Sequence, residues 1–251
     1  MQRVERQSQI LQRISETRSV EVATLAAGFA VSESTVRRDL QLLEHTGLLV
    51  RTHGGATATD RSDQVPTQLK AARRQEEKRR IGRAAAAMVP DGAVVGMTGG
   101  TTTLELARIL ADRPGITLVT NAVNLAADLV GRPGLRLIVI GGIARQSGEL
   151  VGPAADAMLA NYHLDLAFIG VDGLSAVEGC TTYDEMEAAT DRAFLARAKK
   201  AIVIADSSKI SVVTFARIAP LSAIDMVITD SDAPEEQVAT LRSDRTEIVT
   251  V

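Results

Sequence analysis

The sequence contains few of the residues that mark secreted, metal-binding or membrane-spanning proteins. Its 251 residues include no tryptophan, 2% aromatic residues, three histidines and one cysteine, Cys180. A single cysteine excludes an internal disulfide framework and fits a reducing compartment. The apolar runs are too short to span a bilayer, and the polar segment MQRVERQSQI does not resemble a signal peptide. We therefore expect a cytoplasmic protein without membrane contact.

Motifs for metal and cofactor chemistry are also missing. His45, His53, His163 and Cys180 are scattered along the chain and lack the spacings of zinc sites. The glycine-rich segments have neither the lysine of a P-loop nor the pattern G-x-G-x-x-G of a dinucleotide site. No nucleophile elbow supports serine hydrolase chemistry. The sequence therefore predicts no metal and no cofactor.

Charge is distributed unevenly along the chain. Lys and Arg outnumber Asp and Glu in residues 1–83, whereas the reverse holds in residues 84–251. A basic front and an acidic rear suggest two domains with different partners. A polar, proline-containing stretch separates them and is typical of a linker. We predict a first domain at 1–57, a linker at 58–75 and a second domain at 76–251.

The front domain shows three helical patterns. Ile10, Leu11 and Ile14 give the first helix an apolar face, and VATLAAGFA predicts a second, short helix followed by a turn at Ala30 and Val31. A further helix follows that turn. A short helix, a tight turn and a second helix are the elements of a helix-turn-helix.

The third helix separates an apolar stripe from a polar face. Val36, Leu40 and Leu43 share one side at helical spacing, and Gly47 is a suitable end for the helix. Hydroxyl, amide and guanidinium groups on the other side can contact phosphates and base edges. The residues of this helix and its N-cap predicted to bind DNA are Ser32, Ser34, Thr35, Arg37, Arg38 and Gln41.

The segment LLVRTHGGA predicts a strand that ends in a glycine turn. In a winged helix-turn-helix this hairpin is the wing, and Arg51 and His53 lie where a wing meets the DNA backbone. Taken alone, the third helix could equally be a solvated amphipathic helix, because Arg-Arg-Asp is ordinary surface composition. The order of turn, helix, hairpin and Gly54–Gly55 favours DNA binding.

A charged helix at 73–89 follows the predicted linker and joins it directly to the second domain. Its segment RRQEEKRR could form a second DNA-binding patch, but such runs more often form a solvated helix face with Glu–Arg pairs. We favour the solvated face. Because this helix connects the domains, it is also the candidate transmitter of a signal between them.

From Ala93 onward, short β-branched runs alternate with helical patterns. The predicted strands are AVVGM, ITLVT, LRLIVI, LAFIG, AIVIA, MVITD and EIVTV, and the predicted helices lie at 102–112, 122–130, 153–161, 185–199 and 234–242. Apolar strands that are each followed by a helix indicate a parallel sheet covered on both faces. The fold class is therefore α/β: a winged helix-turn-helix followed by a doubly wound, mostly parallel α/β domain.

Small and polar residues follow five of these strands. Ligands of doubly wound sheets bind at the carboxyl ends of strands, and the segment TGGTTT opens a helix whose N-terminus attracts phosphate. Asp172 can accept bonds from sugar hydroxyls, and Lys209 or Arg145 can hold negative charge. The predicted effector-binding residues are Thr98, Gly99, Gly100, Thr101, Thr102, Thr103, Asn121, Gly141, Gly142, Arg145, Asp172 and Lys209.

Both halves of the sequence resemble the DeoR family of bacterial transcription regulators. The segment VSESTVRRDLQLLEHTGLLVRTHGGA is similar to the recognition helix and wing of that family. The rear matches are GGTTT, VTNA, VIGG, LVGP, AFIGVDG, TTYDEMEA and ADSSK. The resemblance implies operator binding through Ser34, Thr35, Arg37 and Arg38, with support from Arg51 and His53. It also implies a rear domain similar in fold to ribose-5-phosphate isomerase.

The same resemblance implies that the rear domain binds a phosphorylated sugar or sugar alcohol in the threonine loop and that binding releases the operator. This chain has Thr98 and Gly99 where many members have Asp-Ser. The difference removes a carboxylate from the mouth of the predicted pocket. We therefore expect an effector that is bulkier or more anionic at that edge.

Two other interpretations of the rear domain are open. An aldose–ketose isomerase would need a carboxylate base and a group that stabilises an enediolate, and Asp172, Lys209 and Glu185 are candidates for these roles. A pure oligomerisation module would not need polar residues at the strand ends. The upstream helix-turn-helix favours a repressor that binds double-stranded operator DNA as a homodimer or homotetramer.

Overall fold

A computed structural model describes residues 2–45, 48–58, 70–71, 73–242 and 245–251. Contacts divide the chain into two compact units, Met1–Arg73 and Arg74–Val251. Most of the predicted linker at 58–75 and the predicted helix end at Gly47 lie outside the described residues. Among the described helices, none is both long and apolar enough to cross a membrane.

The front unit contains three helices and three short strands. In chain order they are α1 (Arg3–Thr17), β1 (Ser19–Glu21), α2 (Val22–Phe29), α3 (Glu33–His45), β2 (Leu49–Arg51) and β3 (Gly55–Ala58). Ala30 ends α2 in the left-handed conformation, with φ 53°, so the predicted tight turn before α3 is confirmed. The apolar faces predicted for the helices form one core that includes Ile10, Leu25 and Leu40.

The three strands form an antiparallel sheet in the order β1, β3, β2. The β2–β3 hairpin confirms the predicted wing, whereas sequence reasoning missed β1. A Cβ at Gly55 would overlap the carbonyl oxygen of Val20 in β1. The glycine is therefore needed for the pairing of β1 with the wing and not only for the turn.

The rear unit alternates strands and helices. In chain order its elements are α4 (Gln75–Ala87), β4 (Val94–Met97), α5 (Thr101–Ala111), β5 (Thr117–Thr120), α6 (Val123–Leu129), β6 (Arg136–Val139), β7 (Ile143–Ala144), β8 (Leu150–Val151), α7 (Pro153–Leu159), β9 (Leu164–Ile169), β10 (Gly173–Ser175), β11 (Gly179–Thr182), α8 (Glu185–Arg197), β12 (Ala198–Ile204), β13 (Ala216–Ala219), β14 (Met226–Thr229), α9 (Glu235–Leu241) and β15 (Glu247–Thr250). A short 3₁₀ helix, Ser207–Lys209, follows β12.

Seven strands form the central sheet in the order β15, β14, β12, β9, β4, β5, β6. All six neighbouring pairs are parallel. These are the seven predicted strands, so the doubly wound α/β fold is confirmed. The chain runs outward from β4 through β5 to β6 and then returns to β9 on the other side of β4. This reversal creates a switch point between the carboxyl ends of β4 and β9, where such sheets bind ligands.

The rear unit has two apolar clusters, which together include residues from both faces of this sheet. One contains Phe194 and Val203, and the other contains Phe168 and Leu106. Smaller elements were not predicted: the β7–β8 hairpin and an antiparallel sheet of β10, β11 and β13. Each of these strands has two to four residues, and none lies in a continuous apolar run like those of the central strands.

The interpretation of RRQEEKRR as a solvated helix face was wrong for part of the segment. Lys78 is buried, with its Nζ 3.9 Å from Asp206 Oδ2. The Arg74 guanidinium donates to Ser207 Oγ at 2.6 Å and to Asp232 Oδ2 at 3.1 Å. Arg79 is exposed and pairs with Glu76 at 2.6 Å, as predicted for a solvated face. The prediction failed because the start of α4 packs against the carboxylates that follow β12 and β14.

Candidate functional site

Helix α3 presents its polar face to solvent. Val36, Leu40 and Leu43 are buried as predicted. The Ser32 hydroxyl accepts a bond from the Thr35 backbone N–H at 3.3 Å, so Ser32 caps the helix. The residues of the polar face are Ser34, Arg37, Arg38 and Gln41, all exposed, and Thr35, which is half-buried.

The two arginines of this face differ in their contacts. Arg37 pairs with Glu33 at 2.8 Å, one turn earlier on the same exposed surface. Arg38 makes no ion pair or hydrogen bond with any residue in the described part of the chain. Its five donors therefore remain available to a guanine edge or a phosphate.

A buried ion pair fixes the opposite side of α3. Asp39 is 2% exposed and accepts a bond from Arg6 Nε at 2.6 Å and from Gln7 Nε2 at 3.2 Å, both in α1. The sequence analysis treated Arg-Arg-Asp as ordinary surface composition and missed this contact. The pair anchors the helix whose other face carries Arg38.

The wing carries the two remaining predicted DNA contacts. Arg51 ends β2 and is exposed; its guanidinium lies 3.8 Å from Glu44 of α3. His53 lies in the exposed turn between β2 and β3. Both residues are thus accessible, and their contact with DNA stays a prediction.

The threonine loop, residues 98–103, joins the end of β4 to the start of α5. Thr98 is buried and its hydroxyl accepts a bond from the Gly170 backbone N–H at 3.0 Å, which ties the loop to the end of β9. Thr103 is also buried and donates to the Gly100 carbonyl at 2.9 Å. These two hydroxyls shape the loop. The first backbone N–H groups of α5, with Thr101 and Thr102, remain as the phosphate-binding candidates.

Gly99 faces a carboxylate that sequence reasoning missed. A Cβ at Gly99 would lie 2.5 Å from Cγ of Glu149. Asn121, which follows β5 and is fully buried, donates from Nδ2 to Glu149 Oε2 at 3.2 Å and to the Leu150 carbonyl at 3.2 Å. Glu149 therefore places a carboxylate at this edge, in the space that the glycine leaves, and the expected bulkier or more anionic effector stays a prediction.

Two further carboxylates, those of Glu187 and Asp172, contact hydroxyl groups. Ser147 donates to Glu187 Oε1 at 2.6 Å, and the Thr182 hydroxyl lies 3.2 Å from Glu187 Oε2 and 3.3 Å from Asp172 Oδ2. Lys209 Nζ donates to Asp172 Oδ1 at 3.3 Å. The predicted residues Asp172 and Lys209 are thus brought together by the ends of β9 and β12.

Asp191 of α8 completes this group, which we call the carboxylate cluster: Glu149, Asp172, Glu187 and Asp191. Burial, together with the negative charges of Glu149, Glu187 and Asp172, raises the pKa of Asp191 well above its usual range. Burial also raises the pKa of Glu187, against the opposing effect of the Ser147 hydrogen bond. The ionised forms of the Asp191 and Glu187 carboxyl groups are therefore disfavoured in the folded protein. Within the described residues, the cluster does not have the arrangement of a metal site.

The remaining predicted effector residues lie on the β7–β8 side of the site. Arg145 pairs with Asp184, whose carboxylate also caps α8 by accepting from the Met186 and Glu187 backbone N–H groups. Gly142 has φ +152°, and a Cβ there would lie 2.7 Å from the Val151 carbonyl oxygen. Gly141 has open space around it. Glu185, the candidate base of the isomerase interpretation, is exposed, whereas its neighbour Glu187 points inward.

Comparisons with known families cover nearly the whole chain. Residues 6–62 match the family described as "DeoR-like helix-turn-helix domain". Residues 73–231 match the family described as "DeoR C terminal sensor domain".

Individual proteins are similar over almost their full length. The chain is 36% identical to the "Putative aga operon transcriptional repressor" of Escherichia coli O157:H7, over 98% of this chain and 93% of the relative. It is 28% identical to the "Glycerol-3-phosphate regulon repressor" of Escherichia coli (strain K12), over 93% of each. Among solved structures, ribose 5-phosphate isomerase A from Methanocaldococcus jannaschii is 19% identical with a TM-score of 0.40, over 54% of each chain.

Proposed function

Because the chain belongs to the DeoR family of transcription regulators, we propose that it represses an operon of carbohydrate catabolism and leaves its operator when it binds a phosphorylated sugar or sugar alcohol. The names of both Escherichia coli relatives given above describe repressors, and this supports a repressing role. The observation that carries the proposal is the pairing of an exposed recognition helix with a phosphate-type loop at a sheet switch point. Operator binding implies action in the cytoplasm.

DNA binding is tested most directly at Arg38, which has no protein partner in the described chain. Operator DNA selected from a random library would be titrated by fluorescence anisotropy. Arg38→Ala should weaken specific binding by about 1–3 kcal/mol, because an arginine that contacts a base edge contributes about that much. Arg132→Ala, an exposed arginine of the rear unit, should leave affinity unchanged. Retained affinity in Arg38→Ala would contradict the assignment of α3.

The effector class is tested by thermal shift of the full chain against phosphorylated sugars. A ligand at ~100 times its dissociation constant adds about 2.7 kcal/mol of stability. The double variant Gly100→Ala, Thr102→Ala should abolish this shift and keep DNA binding, because Gly100 has φ +144° and Thr102 lies in the first turn of α5. Gly115→Ala with Thr240→Ala is the matched control outside the site. A normal response of the first variant would contradict the phosphate assignment.

Helix α4 is the proposed transmitter, and Arg74 is its contact with the site. Ser207, which accepts from Arg74 at 2.6 Å, lies in the same 3₁₀ helix as Lys209. A ligand that displaces Lys209 from Asp172 would therefore move the anchor of α4. An effector can shift the protein only if it binds one state more tightly. Arg74→Ala should bind effector but no longer release DNA, whereas Arg79→Ala should behave normally; the opposite result excludes this route.

The proposed assembly is a homodimer or homotetramer, because two recognition helices about 34 Å apart match successive half-sites on one face of DNA. Analytical ultracentrifugation of the free protein and of its operator complex measures this. A monomer on a single half-site would contradict it.

The competing isomerase would use Asp172 or Glu185, the candidates from the sequence, as its base. Asp172 is held by Lys209 and Thr182, and Glu185 is exposed. We propose that the protein does not isomerise sugar phosphates. Turnover of ribose 5-phosphate that disappears in Lys209→Ala would contradict this.

A further inference from the structure

Two consecutive arginines stand where one compact unit ends and the next begins, and each is bound inside its own unit. The front unit ends at Arg73 and the rear unit begins at Arg74. Arg73 donates from Nε to Ser8 Oγ at 2.8 Å and from Nη2 to the Ser8 carbonyl at 2.7 Å. Ser8 belongs to α1 and is 1% exposed. The last residue of the front unit is therefore fixed to the first helix of that unit.

The rear unit holds Arg74 through three side chains. The guanidinium donates to Ser207 and Asp232, as described above, and lies 3.8 Å from Asp230, which is fully buried. Arg74 also has φ 51°, a left-handed conformation that is uncommon for a residue with a side chain. Such a conformation persists only where the surrounding contacts impose it. Because no residue lies between the two arginines, a single peptide bond joins two anchored positions.

The front anchor is continuous with the support of the recognition helix. Ser8 follows Arg6 and Gln7 in α1. Both of these residues donate to the buried Asp39 of α3, at 2.6 and 3.2 Å. Asp39 is the neighbour of Arg38, the exposed arginine assigned to DNA. A movement of α1 therefore carries α3 with it, because separating the helices would leave a buried charge without its partner.

The rear anchor begins beside the proposed effector site. Ser207 and Lys209 belong to the same 3₁₀ helix, and Lys209 Nζ donates to Asp172 Oδ1 at 3.3 Å. Hydrogen bonds and rigid elements of this kind carry coupling between sites when the connection has two arrangements that each ligand favours differently. The two arrangements here are a junction held at both arginines and a junction released at one of them.

We propose that Arg73 is a positioning residue: with Arg74 it restricts the front unit in the free protein, and the effector releases this tie through the Ser207–Lys209 helix. The inference rests on the proposed function and specifies how the effector site regulates DNA binding. In an assembly of two chains, the tie sets the spacing of the two recognition helices before DNA is bound. It therefore strengthens binding to a full operator and not to a half-site.

The sharpest test inserts two glycines between Arg73 and Arg74, because the insertion keeps every side chain and adds slack to the junction. Affinities for the full operator and for a duplex with one half-site are measured by fluorescence anisotropy without ligand. The insertion should weaken full-operator binding at least about fivefold and leave half-site binding within about twofold. Two glycines inserted after Gly131, in an exposed turn of the rear unit, should change neither affinity.

Side-chain variants assign the tie to its anchors. Arg73→Ala should reproduce the effect of the insertion, whereas Arg3→Ala, which removes an exposed arginine of α1, should keep the ratio of full-operator to half-site affinity. Ser207→Ala should also lower this ratio. The double variant Arg73→Ala, Ser207→Ala should lose no more than the weaker of the two single variants, because either change releases the same tie.

The response to effector is measured with glucose 6-phosphate, fructose 6-phosphate and ribose 5-phosphate as probes. A probe that weakens full-operator binding of the unaltered chain at least about fivefold should weaken that of the insertion variant less than about twofold. The same probe should still raise the melting temperature of the insertion variant, since the effector site is unchanged. Binding is thereby separated from its transmission to the recognition helix.

The outcomes distinguish this inference from the proposed function. If no probe raises the melting temperature, the sugar-phosphate effector is contradicted, and the ligand-free affinities still decide whether the tie exists. Unchanged full-operator binding in the insertion variant would overturn the tie. An equal loss on the half-site would also overturn it, because the defect would then lie within the front unit. An insertion variant that a probe releases normally would overturn the regulatory route through Arg73.

Discussion

The two candidate functional surfaces of this protein are built in different ways. On the recognition helix the polar side chains point to solvent and touch close neighbours in sequence, as Arg37 does with Glu33. In the rear site they are held by distant parts of the chain: Thr98 bonds Gly170, and Ser147 bonds Glu187. A surface that reads DNA needs free donors, whereas a pocket that selects one small molecule needs fixed ones. The difference predicts where substitutions destabilise the fold and where they change only binding.

The largest loss of stability should come from a buried polar side chain of the front unit, which differs from the exposed polar side chains of α3. Asp39 is the buried exception on α3, and Asp39→Ala would leave the Arg6 guanidinium buried without its partner. We expect a loss of about 3–5 kcal/mol in the free energy of unfolding of the front unit. Urea denaturation of the full chain, followed through its first transition, measures this.

The control for Asp39 lies on the same helix. Glu33→Ala removes the exposed partner of Arg37 and should cost less than about 1 kcal/mol. Equal losses for the two variants would mean that the contrast between exposed and buried polar groups does not hold within α3.

A smaller effect is expected at Gly142, where the rear site depends on backbone shape. Gly142→Ala would combine a positive φ of +152° with a Cβ 2.7 Å from the Val151 carbonyl. The strain should cost about 1–3 kcal/mol and disturb the β7–β8 hairpin that carries Arg145 and Glu149, so effector binding should weaken. Thermal unfolding and calorimetry measure the two effects.

Gly131→Ala provides the matched comparison, because Gly131 has φ +84° but open space around it. It should cost stability without changing effector affinity. If both glycine variants retained normal effector binding, the hairpin would not shape the site.

Asp191→Asn should stabilise the rear unit at neutral pH. The folded-state pKa of Asp191 is raised, so between its unfolded and folded pKa values the folded state binds more protons, and stability falls as pH rises through that window. Asparagine removes this penalty. The gain in melting temperature should be largest at pH 8 and should shrink toward pH 4. A gain that is independent of pH would contradict a buried charge at this position.

The smallest effect should come from an exposed pair of the rear unit. Lys199 donates to Asp165 at 2.8 Å, and its side chain is 77% exposed. This hydrogen bond lowers the pKa of Asp165, with help from the Val94 backbone N–H. Solvent screening nevertheless limits the pair, and Lys199→Ala should cost less than about 0.5 kcal/mol by chemical denaturation. A larger loss would show that exposure does not separate weak pairs from strong ones here.

Much of the architecture followed from local patterns. The stripe of Val36, Leu40 and Leu43 defined α3, and seven apolar runs defined the parallel sheet, because each pattern repeats within a few residues. The strands β1, β7, β8 and β10 were not predicted, because each is only two or three residues long. Their existence depends on partners elsewhere in the chain rather than on their own periodicity.

The site was predicted less completely than the fold. Residues at the ends of the long strands, such as Asn121, Asp172 and Lys209, were found because the position of a strand end can be read from the sequence. Glu149 and Glu187 were missed because they are placed by the β7–β8 hairpin and by α8, and their contacts join residues 28 and 40 positions apart. Composition gave no signal either, because acidic residues are common throughout the rear half.

The contact between Gly99 and Glu149 has an evolutionary consequence. A side chain at position 99 and the carboxylate of Glu149 compete for one volume, so neither position can change freely while the other stays fixed. A lineage that gained a serine at position 99 would be under selection to shorten residue 149. Positions 99 and 149 should therefore covary among related regulators.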